Sequence, residues 1–414
     1  MNHNSSFLPS LSSIAATLNR SQGIASVTCL LVTLLFAGAL AAQAYPHARS
    51  GGNYMHNFYF PPAPSSTPWA PDWSPDGESI AVAMQGSLWG VELATGVATE
   101  LVHSEAYLSS PDFSPDGRWL VYTADYAHER IQLEVLDTLT NEVSILTDDS
   151  AIYTDPVFSP DGSKIAYVST QPNGYFNLYV RGFDNGNWQG AAIAVSRDND
   201  FGRSRLYFGR WDMHIAPAWL PNGEELLLVS NRDIPLGSGN VLRVPAVENG
   251  IAQAQTVLSE QSLYRTRPDV SIDGKRFVYA STAGSADQYN NLYVQPTVGG
   301  EPYKLTFFEN DAFHPRWSPN GETLAFISNA DGLPQLMLLE VYGGKLTPIA
   351  ISQLRFSRPT GVVRVRVSEA GDADAMPNRV HVVASDGKFY APQNAYARSG
   401  HVGDNVFHNA GEFT

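Results

Sequence analysis

Apolar and polar positions alternate through most of the chain in short runs that end at clusters of Ser, Pro, Asp and Gly. One unit of this kind recurs six times. It starts at Pro71 (PDWSPDGESIAV), Pro111 (PDFSPDGRWLVY), Pro156 (PVFSPDGSKIAY), Pro217 (PAWLPNGEELLL), Pro268 (PDVSIDGKRFVY) and Pro315 (PRWSPNGETLAF). The starts lie 40, 45, 61, 51 and 47 residues apart, the period of four-stranded propeller blades. Each phrase reads as a hairpin. Ser-Pro-Asp-Gly places Pro where a φ of about −65° is wanted, Asp or Asn where a side chain caps the turn, and Gly where φ is positive. Before the turn one position is Trp73, Phe113, Phe158, Trp219, Val270 and Trp317 in the successive repeats, and after it apolar residues are spaced by two, as in Ile80/Val82 and Leu324/Phe326. That spacing is one face of a strand. A third strand follows (Leu88 to Leu93 in the first repeat), and a weaker fourth ends near Leu101, Thr147, Val195, Leu258, Thr306 and Ile349. One such sheet cannot bury both faces alone, whereas six around an axis can, and ring closure removes exposed edges. The pattern predicts an all-β fold, a six-bladed β-propeller over residues 60–355, with the aromatics packed between blades. It leaves two closures open: an outer strand for the last blade from Phe58 to Phe60, or a sixth blade complete in itself.

Over Pro71 to Ile349 these repeats resemble those of TolB and of the wider family of TolB-like six-bladed propellers, with lapses at Leu220 and Ile272. A narrower resemblance is carried by Tyr207 to Trp219, Ser230-Asn231-Arg232 and Gly237-Ser238-Gly239, which are similar to the propeller preceding the catalytic domain of exported amidohydrolase-related metallohydrolases. In the tail, Val362 to Val367 alternates Val with Arg, and Arg379 to Ser385, Asp386-Gly387 and Lys388 to Ala391 read as strand, tight turn and strand. This stretch resembles the small Ig-like sandwich between propeller and hydrolase domain in that family. The resemblance implies a partial β-sandwich over residues 359–414, apparently truncated, and a catalytic domain further along.

The beginning of the chain reads as a leader. Residues 1–23 are polar and carry no Asp or Glu, an apolar run extends from Ile24 to Leu40, and Ala42-Gln43-Ala44 puts small residues where a signal peptidase reads. We expect a signal peptide over residues 1–44, Tyr45 as the first mature residue, a linker over 45–59, and a periplasmic or secreted protein without a membrane span in the mature chain; the rival reading is an uncleaved anchor. The single cysteine, Cys29, falls inside the leader, so no disulfide is expected in the mature chain. With 26 Lys+Arg against 41 Asp+Glu the formal charge is −15, and there is no Lys/Arg-rich run. That balance excludes nucleic acid as a partner, and 43% apolar residues exclude disorder.

Chemistry-bearing motifs are sparse. No two histidines are spaced as His-x-His, the usual opening of an amidohydrolase metal site, and there is no Gly-x-Ser-x-Gly elbow, Walker loop or dinucleotide fingerprint. We assign no catalytic residue, no metal ligand and no cofactor to this chain; zinc enters only with a downstream hydrolase domain. Asp198-Asn199-Asp200 lacks the remaining oxygens of an EF-hand calcium loop. What remains is the propeller mouth, where the residues just before each repeat's Pro ring one end of the channel. Ser110, Asp155, Ala216, Arg267 and His314 hold that position, with Thr266, Arg265, His214 and Asp212 slightly further back. Asp155, Asp212, His214, Arg267 and His314 are therefore the candidate ligand-binding residues, since both charge signs converge on a concavity; the alternative is that they satisfy one another across a wet channel. The longest repeat places its excess in Ser196 to Ile215, a loop expected to pack against a neighbouring domain or cover the mouth. The sequence thus reads as an exported, non-catalytic recognition or scaffolding module for a protein, peptide or polar small ligand. Its alternatives are the substrate-handling part of a metal-dependent amidohydrolase and a TolB-like envelope adaptor.

Overall fold

The structure, a computed structural model, describes residues 67–126, 130–197, 199–205, 209–235, 239–260, 267–283, 289–330, 333–371, 374–392, 396–399 and 405–414. The leader, the linker, Phe58 to Phe60, Asp198, Tyr207, Phe208, Gly237, Ser238, Arg265 and Thr266 lie outside them.

Each recurring phrase makes the first hairpin of a four-stranded antiparallel sheet, and six such sheets follow one another along the chain. Blade 1 runs Trp69–Trp73, Ser79–Met84, Ser87–Glu92 and Val97–Val102. The innermost strands of blades 2 to 6 are Tyr107–Phe113, Tyr153–Phe158, His214–Trp219, Asp269–Val270 and Ala312–Trp317. In the turn of blade 1, the Ser74 hydroxyl donates to Asp76 at 2.6 Å, and Gly77 N donates to the Ser74 carbonyl at 2.8 Å with Gly77 at φ +73°. The same bond recurs at Ser114–Asp116, Ser159–Asp161, Ser271–Asp273 and Ser318–Asn320. It holds the carboxyls of Asp76, Asp116, Asp161 and Asp273 below their ordinary range.

The turns also nest. A Cβ built on the turn glycine of one blade would meet the turn proline of the blade before it: Gly274 faces Pro221 at 3.2 Å, Gly162 faces Pro115 at 3.4 Å and Gly117 faces Pro75 at 3.6 Å. Blade 1 closes the ring, Gly77 facing Pro319 of blade 6, and Ile272, the lapse in blade 5, takes the proline's place against Gly321. The positive φ favours glycine at all of these positions, and at Gly274 and Gly321, where a Cβ would come within 3.2 and 3.3 Å of the neighbouring side chain, the close approach adds to it.

The core lies between blades. Ile80, Val82, Trp89 and Val91 of blade 1 are buried against Ala325, Ile327 and Leu336 of blade 6, and Ala81 and Leu88 against Leu120 and Tyr122 of blade 2. The inter-blade indoles confirm the packing role expected of the aromatics: Trp73 Nε1 donates to the Arg316 carbonyl and Trp219 Nε1 to the Val157 carbonyl, each at 3.2 Å in the preceding blade. Blade 6 is built from contiguous strands, ending with Leu346–Ile349. The chain then crosses to blade 1, where Gln353–Arg355 pairs in parallel with Val97 to Thr99 as a fifth strand. Phe356 meets Trp89 edge-on at 5.0 Å, and Ser357 donates through N and Oγ to Glu100. Ring closure is therefore made from the carboxyl side of the repeats.

Beyond the ring, Val365–Arg366 pairs with Glu412–Phe413, and Asn378–Val380, Asn405–Asn409 and Tyr396–Ser399 form a three-stranded sheet around buried Phe389 and Phe407. Asp386-Gly387 is the expected tight turn, with Gly387 N donating to the Ala384 carbonyl. This tail docks on blade 1. The Lys388 side chain, 1% exposed, donates from Nζ to the Gly86 carbonyl at 2.8 Å, and Phe389 N donates to the Tyr107 hydroxyl. His103 joins the two sides, hydrogen-bonded to Arg358 and 3.6 Å from Asp386. Among the described residues no helix is long and apolar enough to cross a membrane.

Trp89 is fully buried, donates from Nε1 to the Met84 carbonyl at 2.8 Å and carries the closing segment on its ring through Phe356. Trp89→Ala is expected to lower unfolding stability by about 3–5 kcal/mol, read by urea denaturation. A loss below about 1 kcal/mol would mean that closure does not depend on this contact.

Candidate functional site

The residue before each repeat's proline governs the axial channel. Ala70, Ser110, Asp155, Ala216 and His314 all have φ between +46° and +54°, a region that non-glycine residues rarely occupy. Each sits at or next to a break in register within the innermost strand, for example between Ser109 and Asp112 and between Phe313 and Arg316. The break is a bulge that turns the strand at the axis. Strands that began at each repeat's proline would leave Ser110, Asp155, Ala216, Arg267 and His314 in inter-blade loops; all but Arg267, which precedes Asp269–Val270, lie instead inside the innermost strands, because the bulge lets pairing begin before the proline. The loop placement is corrected accordingly.

Of the five residues expected at the mouth, three share one neighbourhood. Arg267 of blade 5 reaches across the channel to the Asp155 carboxylate of blade 3 and to the Ser110 hydroxyl of blade 2, the latter at 2.8 Å. Asp155 also accepts from Ala216 N of blade 4 at 3.2 Å. Burial lowers Arg267 to about 9, and burial together with Arg267 and Arg316 holds His314 well below the usual histidine range. His314 Nδ1 is buried with no hydrogen-bond partner among the described residues. The other two residues are engaged elsewhere. Asp212 pairs with Arg205, whose Nε donates to the Ile234 carbonyl at 2.8 Å and whose guanidinium lies 3.8 Å from the Phe201 ring centroid. His214 Nδ1 lies 3.0 Å from the Ser230 hydroxyl. Through these contacts, and through Tyr175 stacked on Trp211 at 4.2 Å, the long loop packs on its own propeller.

One step further along each innermost strand is a ring that the sequence reading passed over. The position after the first proline is Asp72, Asp112, Val157, Ala218, Asp269 and Arg316 in blades 1 to 6. Asp72 accepts from Phe113 N at 2.8 Å, Asp112 from Phe158 N at 2.7 Å and Asp269 from Trp317 N at 2.6 Å. Each bond ties one innermost strand to the next. These side chains form the floor of a cavity of about 340 Å³ whose walls are Trp73, Phe113, Phe158, Trp219 and Trp317 and whose rim is the ring of turn prolines. The signal was available: a Pro-Asp pair repeated in three phrases and replaced by Val, Ala and Arg in the others. The pattern alone does not separate it from turn chemistry, because the Asp of the Ser-Pro-Asp-Gly turn lies four residues away.

The floor carries more negative than positive charge. Burial raises Asp72 to about 7, opposed by Arg316, and raises Asp112 well above the ordinary range with Asp72 adding to it. Burial raises Asp269 as well, again opposed by Arg316. A carboxyl whose folded-state pKa is raised favours folding only while protonated, so its contribution is present below the ordinary Asp range and is lost as pH rises through about 7. Asp72→Asn keeps an acceptor for Phe113 N and removes the titration. Melting curves of the variant and the parent are expected to show the variant gaining on the parent as pH rises from about 5 to about 8; a pH-independent difference contradicts the burial of this carboxyl.

Comparison with known proteins bears on the fold. Residues 64–201 match the family described as TolB beta propeller domain. The uncharacterized peptidase YuxL of Bacillus subtilis is 33% identical over 123 residues, 28% of this chain and 19% of that protein. The uncharacterized protein Atu1656 of Agrobacterium fabrum is 27% identical over 168 residues, 38% of this chain and 53% of that protein. The chain thus spans only part of the length of both relatives. Among solved structures, the tricorn protease superposes with a TM-score of 0.51 at 16% identity, covering 73% of this chain and 27% of that one, a likeness of fold alone. With the match to the TolB beta propeller domain confined to residues 64–201 and the same phrase building all six blades, the chain is a six-bladed β-propeller whose first blades are similar to that family.

Proposed function

We propose that the protein is an exported, non-catalytic recognition module that takes its ligand into the turn-end cavity of the propeller channel. The observation that carries this reading is the lining: three carboxylates and one guanidinium on the floor, aromatic and aliphatic side chains on the walls, and a proline rim. Ligand sites are mostly apolar concavities with a few convergent polar groups, and this one has that composition. Asp155 and Arg267 bridge blades across the channel, while Asp212 and His214 brace the long loop of blade 4. Export rests on the leader over residues 1–44, and periplasmic or secreted placement follows from it. No metal or cofactor is required for binding of this kind.

A second reading is favoured by the match to a peptidase of which only 19% is covered: the propeller handles substrate for a hydrolase domain further along a longer chain, of which the amidohydrolase-like arrangement is one form. Coding sequence beyond Thr414, compared with the intact mass of the native protein, separates the two.

The cavity reading has its own test. Ala218→Phe narrows the apolar half of the cavity and leaves Asp72, Asp112, Asp269 and Arg316 in place. In a thermal-shift screen of amines, amino acids, short peptides and sugars, compounds that stabilise the parent are expected to lose their effect on the variant. Stabilisation that is equal in the two proteins would place binding elsewhere.

A further inference from the structure

The turn-end cavity has two unlike halves. Blades 3 and 4 supply Val157, Phe158, Ala218 and Trp219, while blades 5, 6, 1 and 2 supply Asp269, Arg316, Asp72 and Asp112. On the charged side, carboxylates outnumber the guanidinium three to one. Each carboxylate spends an oxygen on a neighbouring backbone N–H, which leaves its remaining acceptor capacity for another donor. Arg316 is under-used in the complementary sense. Among the described residues its guanidinium donates a single hydrogen bond, to the Pro315 carbonyl beside it at 3.3 Å, and it forms no ion pair there. An arginine fork has five N–H donors, so Arg316, which acts on Asp72 and Asp269 through its charge, keeps donors available for an incoming oxygen acceptor.

An occupant that meets both needs brings a positive donor to the carboxylates and an oxygen acceptor to Arg316, on an apolar body that lies against Val157, Ala218 and Trp219. We propose that the cavity binds an ammonium carried beside a carbonyl or carboxylate oxygen on an apolar body. This is the chemistry shared by the N-terminal residue of a peptide and by a free apolar α-amino acid. The inference rests on the reading that the turn-end cavity is the ligand site, and it names what that site selects. The volume, about 340 Å³, lies at the small end of ligand cavities, roughly 300–1,000 Å³, and suits a single residue with its flanking atoms rather than a long segment.

The electrostatics of the floor support the sign of the ligand. Asp72 faces Arg316, Asp269 and Asp112, and Arg267 and His314 stand behind them. Burial raises all three carboxyls, Asp72 to about 7, so Asp72 is partly protonated near that pH, and an ammonium placed against it favours the ionised form. Binding therefore expels protons at a pH of about 6.5, where the ligand's own α-amino group, with an ordinary pKa of about 7.7–8.0, is already charged.

Titration calorimetry of the full chain with phenylalaninamide, phenylalanine and N-acetylphenylalaninamide, in two buffers of different ionisation heat, tests the proposal. Expected are binding of the first two compounds with proton release, and binding of the acetylated compound weaker by about tenfold or more, the effect of losing one charged hydrogen bond. Tighter binding of the amide identifies a peptide N-terminus as the source, and tighter binding of the free acid an amino acid. Asp269→Asn keeps an acceptor for Trp317 N and is expected to cost a similar factor for the ammonium compounds alone. Equal binding of the acetylated compound, abolished by Ala218→Phe, overturns the ligand class and leaves the site standing. Binding of phenylalaninamide that Ala218→Phe does not alter overturns the site as well, and absence of heat from all three compounds overturns the proposal outright.

Discussion

The structure depends on a bond that crosses from one blade to the next: a carboxylate near the axis accepting the backbone N–H of the neighbouring innermost strand, as Asp72, Asp112 and Asp269 do. An innermost strand has no partner on its axial side, so its backbone groups there need an acceptor from elsewhere. The acidic side chain meets that need and holds the strand in angle at the same time. The cost is a set of carboxyls in a confined channel with only Arg316 on the floor to offset them, which is why burial raises them. At this position blades 3, 4 and 6 lack the carboxylate, carrying Val157, Ala218 and Arg316, and in blades 3 and 4 the cavity wall is apolar. The asymmetry of the cavity thus follows from which blades use a carboxylate staple and which use packing.

A second ring, made by the turns, supports the first. Proline of one turn against glycine of the next fixes the spacing of the blades at the same end of the channel that holds the cavity. The left-handed residues before the first proline set the opposite end, where Arg267 bridges blades 2, 3 and 5. Between these rings the Trp, Leu, Ile and Val side chains fill the inter-blade layers, and the tail that follows the sixth blade is drawn onto blade 1 by the parallel strand and by buried Lys388. Burial lowers that amine to about 8, opposed by Asp386 and Glu100, and its hydrogen bond to the Gly86 carbonyl carries the docking contact.

Most of the fold was legible in the sequence, because the physics that builds it is local and repeated. Turn chemistry at Ser74 to Gly77 and period-two burial at Ile80 and Val82 are short-range, and six copies averaged away the lapses at Leu220 and Ile272. The site was legible only in part. Asp155 and Arg267 both precede the repeat proline, and the structure pairs them with each other, the alternative that the sequence left open. Asp72, Asp112, Asp269 and Arg316 were hidden because a Pro-Asp pair in a turn-rich phrase has an ordinary explanation, and only the axial geometry separates the staple from the turn. Closure by Gln353 to Arg355 was likewise out of reach: pairing with Val97 to Thr99 spans the whole ring, and three residues carry no periodicity.

The central claim is that the channel carboxyls are buried with too little positive charge beside them. Carboxyl-carbon NMR of selectively labelled Asp72, Asp112 and Asp269 across the pH range tests it directly. The account predicts that Asp72 titrates near 7 and that Asp112 titrates above the ordinary Asp range, while Asp76 and Asp116 of the turns titrate below it. Titration of all three channel residues near the ordinary value of about 3.9 would contradict it, and would mean a wet, screened channel with no charge for a ligand to complete.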